Sequence, residues 1–168
     1  MKTVLIGFMG SGKTAVARAL AEHSGSEVLE TDALVLDHLG CADMSEVFQL
    51  GGELLLRETE IEIARSLRKR NNVIISTGGG MVMNKICIDY LREGDSLVVF
   101  LDAAFETLRN RVAADPTPRP LFTDARAAQA LYSLRYPLYK AYADRILPVG
   151  DASPEELAKQ IVQFQTRS

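Results

Sequence analysis

The sequence predicts an α/β protein, a three-layer sandwich in which a five-stranded parallel sheet is covered by helices on both faces. Three observations predict it. Short apolar runs rich in branched side chains alternate with stretches whose apolar residues recur at helical spacing, the signature of crossover connections between parallel strands. The first run leads into Gly7-Phe8-Met9-Gly10-Ser11-Gly12-Lys13-Thr14 and a helix follows, so a G-x-x-x-x-G-K-[ST] pattern stands in the strand, turn and helix setting it requires. The carboxyl ends of three expected strands carry polar or glycine-rich residues, and open parallel sheets gather ligands on that side.

Residues 3–6 form the first expected strand and 15–22 the body of the first helix, with Val16 and Leu20 one turn apart. Residues 27–30 read as the second strand, ending in Thr31-Asp32, with Asp32 a candidate cap for the segment 33–39. The apolar residues of that segment fit a short helix or a strand, and Gly40 stops it. A helical piece over 44–50 ends at Gly51-Gly52, and a long helix follows over about 53–70. After the break at Asn71-Asn72, residues 73–76 are a buried strand, followed by Thr77-Gly78-Gly79-Gly80 and a helix around 84–92. Residues 96–101 are the fourth strand and 105–112 the helix after it. Pro116, Pro118 and Pro120 exclude helix and inner strand from the next stretch. A helix over about 126–143 leads to the last strand, 146–149. The final helix carries Ser153 as cap, Pro154 at its first position and Glu156 to complete a capping box.

The glycine-rich turn has a division of labour. Gly7, Gly10 and Gly12 let the backbone curl round an anion, so that its amides and the helix start aim donors and a positive dipole end at phosphate oxygens. Lys13 adds a mobile charge for the outer phosphates, and the Thr14 hydroxyl can ligate magnesium.

Composition bounds the remaining choices. The chain has 168 residues, 47% of them hydrophobic and 24% charged, which suits one globular domain with a sizeable core. The net charge of -3 and the lack of a basic patch argue against nucleic acid as a partner. No apolar run approaches the roughly twenty residues of a membrane span. No signal peptide is expected, because the loop motif starts within a few residues of Met1, and a cytoplasmic protein follows as the expectation. Cys41 and Cys87 form no C-x-x-C and read as buried or incidental thiols.

Asp32 is the leading candidate for the reacting end. A carboxylate at a strand terminus beside a phosphate loop can accept a proton from an attacking hydroxyl or orient it, and it can equally cap a helix. The run Gly78-Gly79-Gly80 implies either close approach of a ligand to the backbone or a tight turn. Arg57 stands three residues before Glu60, so the two can pair on one helix face. Arg119 lies in the proline-rich stretch, Arg135 precedes Tyr136-Pro137-Leu138-Tyr139, and Arg109 and Arg111 sit late in their helix. His23 and His38 read as surface or helix-end residues without metal-ligand spacing, and the tyrosines as packing.

Taken together, Gly10-Ser11-Gly12-Lys13-Thr14, Thr31-Asp32, the stretch from Gly52-Glu53 to Arg57-Glu58-Thr59-Glu60, Thr77-Gly78-Gly79-Gly80, Arg119-Pro120-Leu121 and Arg135-Tyr136-Pro137-Leu138-Tyr139 resemble the shikimate kinase family. This family lies within the nucleoside-monophosphate-kinase-like group of P-loop proteins. The resemblance spans residues 4–162 and implies a P-loop kinase fold in one kinase domain over 1–168. A substrate-binding region would cover about 32–60, and a lid about 113–125. It further implies a monomer that uses ATP and Mg2+ and acts on shikimate, the small-molecule partner.

On that resemblance, Gly10, Ser11, Gly12, Lys13, Thr14 and Ala15 would hold the phosphates, and Arg111 and Pro154 would flank the adenine. Asp32 would hold the shikimate hydroxyls and serve as base or orienter at the 3-hydroxyl. Arg57 and Arg135 would clamp the acid's carboxylate, a planar fork meeting a planar anion. Glu60 would support the arginines, Gly78, Gly79 and Gly80 would offer backbone to the ring, and Phe48 would wall the pocket. Lys13 and Arg119 would neutralise the transferring phosphoryl group, Arg119 from the lid. The family usually has aspartate where this chain has Glu30, which would hold magnesium through water, and phenylalanine where this chain has Leu56.

Two other readings compete. A kinase of the same group acting on gluconate or a nucleoside monophosphate would share much of this set. A GTP-binding switch would use the D-x-x-G spelling of Asp37-His38-Leu39-Gly40, but its guanine-reading N-K-x-D is missing, because Asn84-Lys85-Ile86 ends in Cys87.

Overall fold

The computed structural model of the protein describes residues 1–114 and 124–166. Its strands are β1 Lys2–Ile6, β2 Glu27–Glu30, β3 Val73–Ser76, β4 Ser96–Asp102 and β5 Arg145–Pro148. They form one sheet in the order β2-β3-β1-β4-β5, and every neighbouring pair is parallel. The helices are α1 Lys13–Ser24, α2 Thr31–Leu39, α3 Met44–Leu67, α4 Lys85–Arg92, α5 Phe105–Ala114, α6 Ala125–Tyr142 and α7 Pro154–Gln165, with a 3-10 turn at Met81–Met83.

All five residues of β1 and all four of β3 are buried in succession, so side chains pointing to either face of the sheet are covered. α1 packs with α7, and α3 packs with α2 and α4. Even Lys2 is fully buried. Its ammonium donates to the carbonyls of Arg68, at 2.8 Å, and Leu67, at 3.5 Å, where the dipole at the end of α3 favours a cation. Burial lowers the pKa of this lysine, against the opposing charge of Glu93. Among the described residues no helix is long and apolar enough to cross a membrane.

Three local expectations change in the folded chain. α2 is a helix that begins at Thr31 directly out of β2. Asp32 therefore occupies the first turn, and the cap position falls to Glu30, whose side chain makes no capping bond. The reason is that no loop separates strand from helix, so the carboxylate of Asp32 is released for other contacts. The pieces expected over 44–50 and 53–70 are two legs of α3, bent at Gly52 (φ 65°, ψ -159°). The D-x-x-G at 37–40 is a helix stop: Gly40 caps α2, and the Cys41 amide donates to the Leu36 carbonyl at 3.0 Å. That glycine is accounted for without a nucleotide switch.

Other local signals match the structure directly. Ser153 and Glu156 form the capping box of α7, with Pro154 at its start. His23 and His38 lie in the last turns of α1 and α2, and His38 Nε2 stands 3.2 Å from Glu62 Oε2. Arg109 stands 3.7 Å from Glu106 on the same helix. Cys41 is half-buried and Cys87 buried, both as free thiols, and burial pushes the Cys87 thiol up to about 12.

Candidate active site

The loop after β1 has the curl expected of it. Gly7, Gly10 and Gly12 have φ of 151°, 80° and 89°. A side chain at Gly7 would also come within 2.9 Å of the Leu101 carbonyl, whereas Gly12 has nothing within 4 Å and lines an open crevice. Lys13 is buried. Its ammonium donates to the carbonyls of Gly7 and Phe8, at 2.8 and 3.0 Å, and lies 3.4 Å from Ser11 Oγ. The lysine thus spans the concave side of its own loop.

The crevice, of about 410 Å3, is where three strand ends converge. The loop and start of α1 contribute Gly10, Gly12, Lys13, Thr14, Ala15 and Arg18. The β2–α2 junction contributes Glu30 and Asp32, the end of β3 contributes Ser76, Thr77 and Gly79, and α5 contributes Arg111. Both oxygens of Glu30 are engaged: Thr14 Oγ1 donates to Oε2 at 2.9 Å, and Arg18 pairs with Oε1 at 3.0 Å. Ser76 Oγ lies 3.4 Å from Thr14 Oγ1. These are hard oxygen donors around a phosphate loop. Among the described residues no three carboxylates, histidines or cysteines gather into a closed cage. Magnesium, which keeps several waters and leans on substrate phosphates, suits such a donor set.

Beside the crevice lies a second cluster, reached through Asp32 and the glycine run. A Cβ on Gly78 would overlap Asp32 Oδ1 and come within 3.5 Å of Glu60 Oε1. A Cβ on Gly80 would come within 2.6 Å of Arg57 NH2. Neither glycine has a left-handed φ, though the chain turns here, with the Met81 amide donating to the Gly78 carbonyl at 3.1 Å. Their missing side chains also make room for the protein's own carboxylate and guanidinium.

Arg57 NH1 donates to Glu60 Oε2 at 2.7 Å, while NH2 and Nε donate to Glu53 Oε1 at 2.8 and 3.3 Å. Burial works against the charge on Arg57, but Glu60 and Glu53 outweigh it and hold the guanidinium above its ordinary pKa. Burial pushes Glu60 above the usual carboxylate range; Arg57 pulls it back, and Asp32 adds repulsion. Arg135, on α6, is 1% exposed, and its Nε has no hydrogen-bond partner among the described residues. Burial lowers its pKa, Tyr139 opposes that, and Arg57 adds repulsion. The Arg135 guanidinium carbon lies 5.9 Å from the Phe8 ring centre.

The chain that carries this phosphate loop, the Asp32 carboxylate, the half-buried Arg57 and the buried Arg135 is similar to known proteins. The family model for shikimate kinase matches residues 9–166. The shikimate kinase of Lactococcus lactis subsp. cremoris (strain MG1363) is 40% identical over 162 residues, 96% of either chain. The chain belongs to the shikimate kinase family. A further relative, the shikimate kinase of Synechococcus sp. (strain CC9605), is 36% identical over 95% of this chain and 80% of its own. The structure of shikimate kinase from Acinetobacter baumannii in complex with shikimate superposes with a TM-score of 0.91 at 28% identity, covering 99% of this chain and 93% of that one. A deoxyadenosine kinase from M. mycoides with bound dATP, 12% identical with a TM-score of 0.65 over 99% of this chain and all of that one, shares the fold alone.

In this shikimate kinase family member, the expected site residues divide between the two regions. Gly10, Gly12, Lys13, Thr14, Ala15, Glu30, Asp32, Gly79 and Arg111 line the crevice, and Ser11 is buried beneath it. Arg57, Glu60, Gly78 and Gly80 form the adjoining cluster, with Arg135 in electrostatic reach of Arg57. Arg111 NH2 donates to the Gly150 carbonyl at 3.2 Å, in the stretch that leads to Pro154 at the start of α7. Phe48 is half-buried on the first leg of α3, and Leu56 is buried in the core. Arg119 lies outside the described residues, as does most of the lid expected over 113–125; its edges are the end of α5 and the start of α6.

Four residues escaped the sequence reading. Ser76 ends β3, and the rule that ligands gather at strand ends could have named it. Arg18 follows Thr14 by one helical turn, a spacing that places both on one face. Glu53 precedes Arg57 by the same interval. Tyr139 is more than packing: it stacks on Phe100 at 5.1 Å, and its hydroxyl donates to the Gly79 carbonyl at 2.6 Å. Burial pushes that phenol's pKa upward, so it remains a donor. No local pattern pairs residue 139 with residue 79.

Proposed function

We propose that this protein transfers the γ-phosphoryl group of ATP to the 3-hydroxyl of shikimate, giving shikimate 3-phosphate and ADP on the way to chorismate and the aromatic amino acids. One observation carries the reading. Asp32 lines the crevice of the phosphate loop together with Lys13 and also meets the glycine run that abuts Glu60 and the Arg57 guanidinium, with Arg135, whose Nε has no partner among the described residues, in electrostatic reach of Arg57. A nucleotide tail and an organic acid are the two anions that such a site would bring together. One chain holds both regions, so a monomer acting as a single kinase domain suffices.

In this reading the acid's carboxylate lies against Arg57 and Arg135, and the glycine run offers its backbone to the ring. Asp32 accepts the proton of the 3-hydroxyl as its oxygen bonds to the γ-phosphorus and the bond to the β,γ-bridging oxygen breaks, leaving ADP. Lys13 releases the loop carbonyls and turns to the phosphates. Arg111 and Pro154 flank the adenine. Magnesium would be held by Thr14, with Glu30 acting through water, and would offset charge on the phosphate oxygens. The Thr14 proton already points to Glu30, which leaves the oxygen's lone pairs available to a cation.

Initial rates with ATP and each of shikimate, gluconate and a nucleoside monophosphate test the proposal, with GTP replacing ATP in a parallel series. Shikimate with ATP should be strongly preferred. Equal or faster turnover of gluconate would overturn the choice of acceptor.

Gly78→Ala provides a sharper test of how the site is built. The added methyl meets the end of the Asp32 side chain, which can swing aside at little cost to folding. Turnover should fall about tenfold or more, the effect of a misplaced reacting group, while the melting temperature stays within about two degrees of wild type. Wild-type turnover would mean that the position of Asp32 does not matter to the reaction.

A further inference from the structure

We infer that Glu53 is a stand-in for the acceptor's carboxylate, occupying the edge of Arg57 that the incoming acid must take. This inference rests on the reading of Arg57 as part of the acid clamp.

The guanidinium of Arg57 has three sides, and two are committed to the protein. NH1 donates to Glu60 Oε2, and the end bearing NH1 and NH2 abuts Gly80 so closely that no methyl fits between them. The third side, the Nε–NH2 edge, offers the two parallel N–H groups that a planar carboxylate matches. One oxygen of Glu53 spans that edge, at 3.3 and 2.8 Å.

The two glutamates differ in how readily they can leave. The Glu60 side chain is 3% exposed and belongs to the fixed frame of the pocket. The Glu53 side chain is 59% exposed, so its carboxylate regains water on release. An ion pair one helical turn apart whose carboxylate faces solvent is also weak to begin with. The charge of Glu53 reaches Arg135 as well, so the stand-in offsets both guanidinium groups. Among the described residues nothing bonds the Nε of Arg135, and Glu53 does not supply that bond, whereas a ligand held by both arginines would.

The exchange makes Glu53 a specificity residue. A carboxylate acid replaces one anion by another on Arg57, whereas a neutral polyol would strip the guanidinium of its counter-charge without replacing it. The cost of the exchange appears as weaker acceptor binding in the wild type than the clamp alone would give.

Titration calorimetry of shikimate onto the full chain and onto Glu53→Gln and Glu53→Ala tests this, with ADP as a control ligand. Both variants should bind shikimate about two- to fivefold more tightly, the span expected from losing a weak ion pair with a solvent-facing carboxylate, with ADP affinity unchanged. Unchanged or weaker shikimate binding in both variants would overturn the stand-in role; weaker binding would mark Glu53 as a residue that steers Arg57. Arg57→Ala separates the two levels. If it weakens shikimate binding while the Glu53 variants do not tighten it, only the stand-in falls. If it leaves shikimate affinity unchanged, the acid clamp falls and the stand-in with it.

Discussion

Asp32→Asn is expected to lower kcat by about two orders of magnitude, the lower end of what a positioned general base contributes, while ADP affinity stays within about twofold of wild type. Asparagine keeps the shape that Gly78 was cleared to admit, so the backbone of the glycine run need not move. What is lost is the ability to take the hydroxyl proton. Stability should change little, because two small terms oppose each other. A negative charge in the first turn of α2 is favourable, by about 0.3–1 kcal/mol. Against that, Asp32 repels the buried Glu60, and its neutralisation relieves that repulsion. Steady-state rates with ATP and shikimate, together with calorimetry of ADP, measure both halves of the expectation. A variant that turns over at the wild-type rate would remove Asp32 from the proton transfer.

Arg57→Ala should weaken shikimate binding about a hundredfold, since two charge-assisted hydrogen bonds of about 1.5–3 kcal/mol each are at stake and Arg135 retains part of the clamp. The same substitution has a pH signature. It strips the buried Glu60 of its strongest partner, and burial already holds that carboxyl above the usual carboxylate range. A carboxyl whose folded pKa is raised favours the fold while it is protonated. That contribution is complete below the unfolded-state pKa and is lost as pH rises through the raised folded value. The variant should therefore approach wild-type melting in acid and fall behind it as pH climbs through that window. Equal deficits at all pH values would show that Glu60 finds another partner, and undiminished shikimate affinity would dismiss the clamp.

The alternation of strands and helices, the parallel sheet and the phosphate loop were legible because each depends on neighbours in the chain. Gly7 to Thr14 is one continuous turn, and the capping box at Ser153 and Glu156 closes within four residues. Asp32 was legible as a strand-end carboxylate but not as a first-turn residue, because residues 31–32 carry no local signal that α2 starts directly where β2 ends. The glycine run was visible as an anomaly whose cause lay elsewhere. Its occupants, Asp32 and Arg57, arrive from 46 and 23 positions earlier in the numbering, as the Gly78 and Gly80 contacts give it (78-32 and 80-57).

By itself, the order of residues determined the layer architecture, the anion-binding turn and the set of charged groups available to a site, since periodicity and local backbone preference act over a few residues. Only the tertiary structure decided how those charges are shared. Glu60 became a buried frame and Glu53 an exposed partner of the same arginine, Tyr139 reached across to Gly79, and Arg135 was buried with one donor unmet among the described residues. Such outcomes depend on desolvation and on distances between elements, and neither quantity exists until the helices have packed onto the sheet.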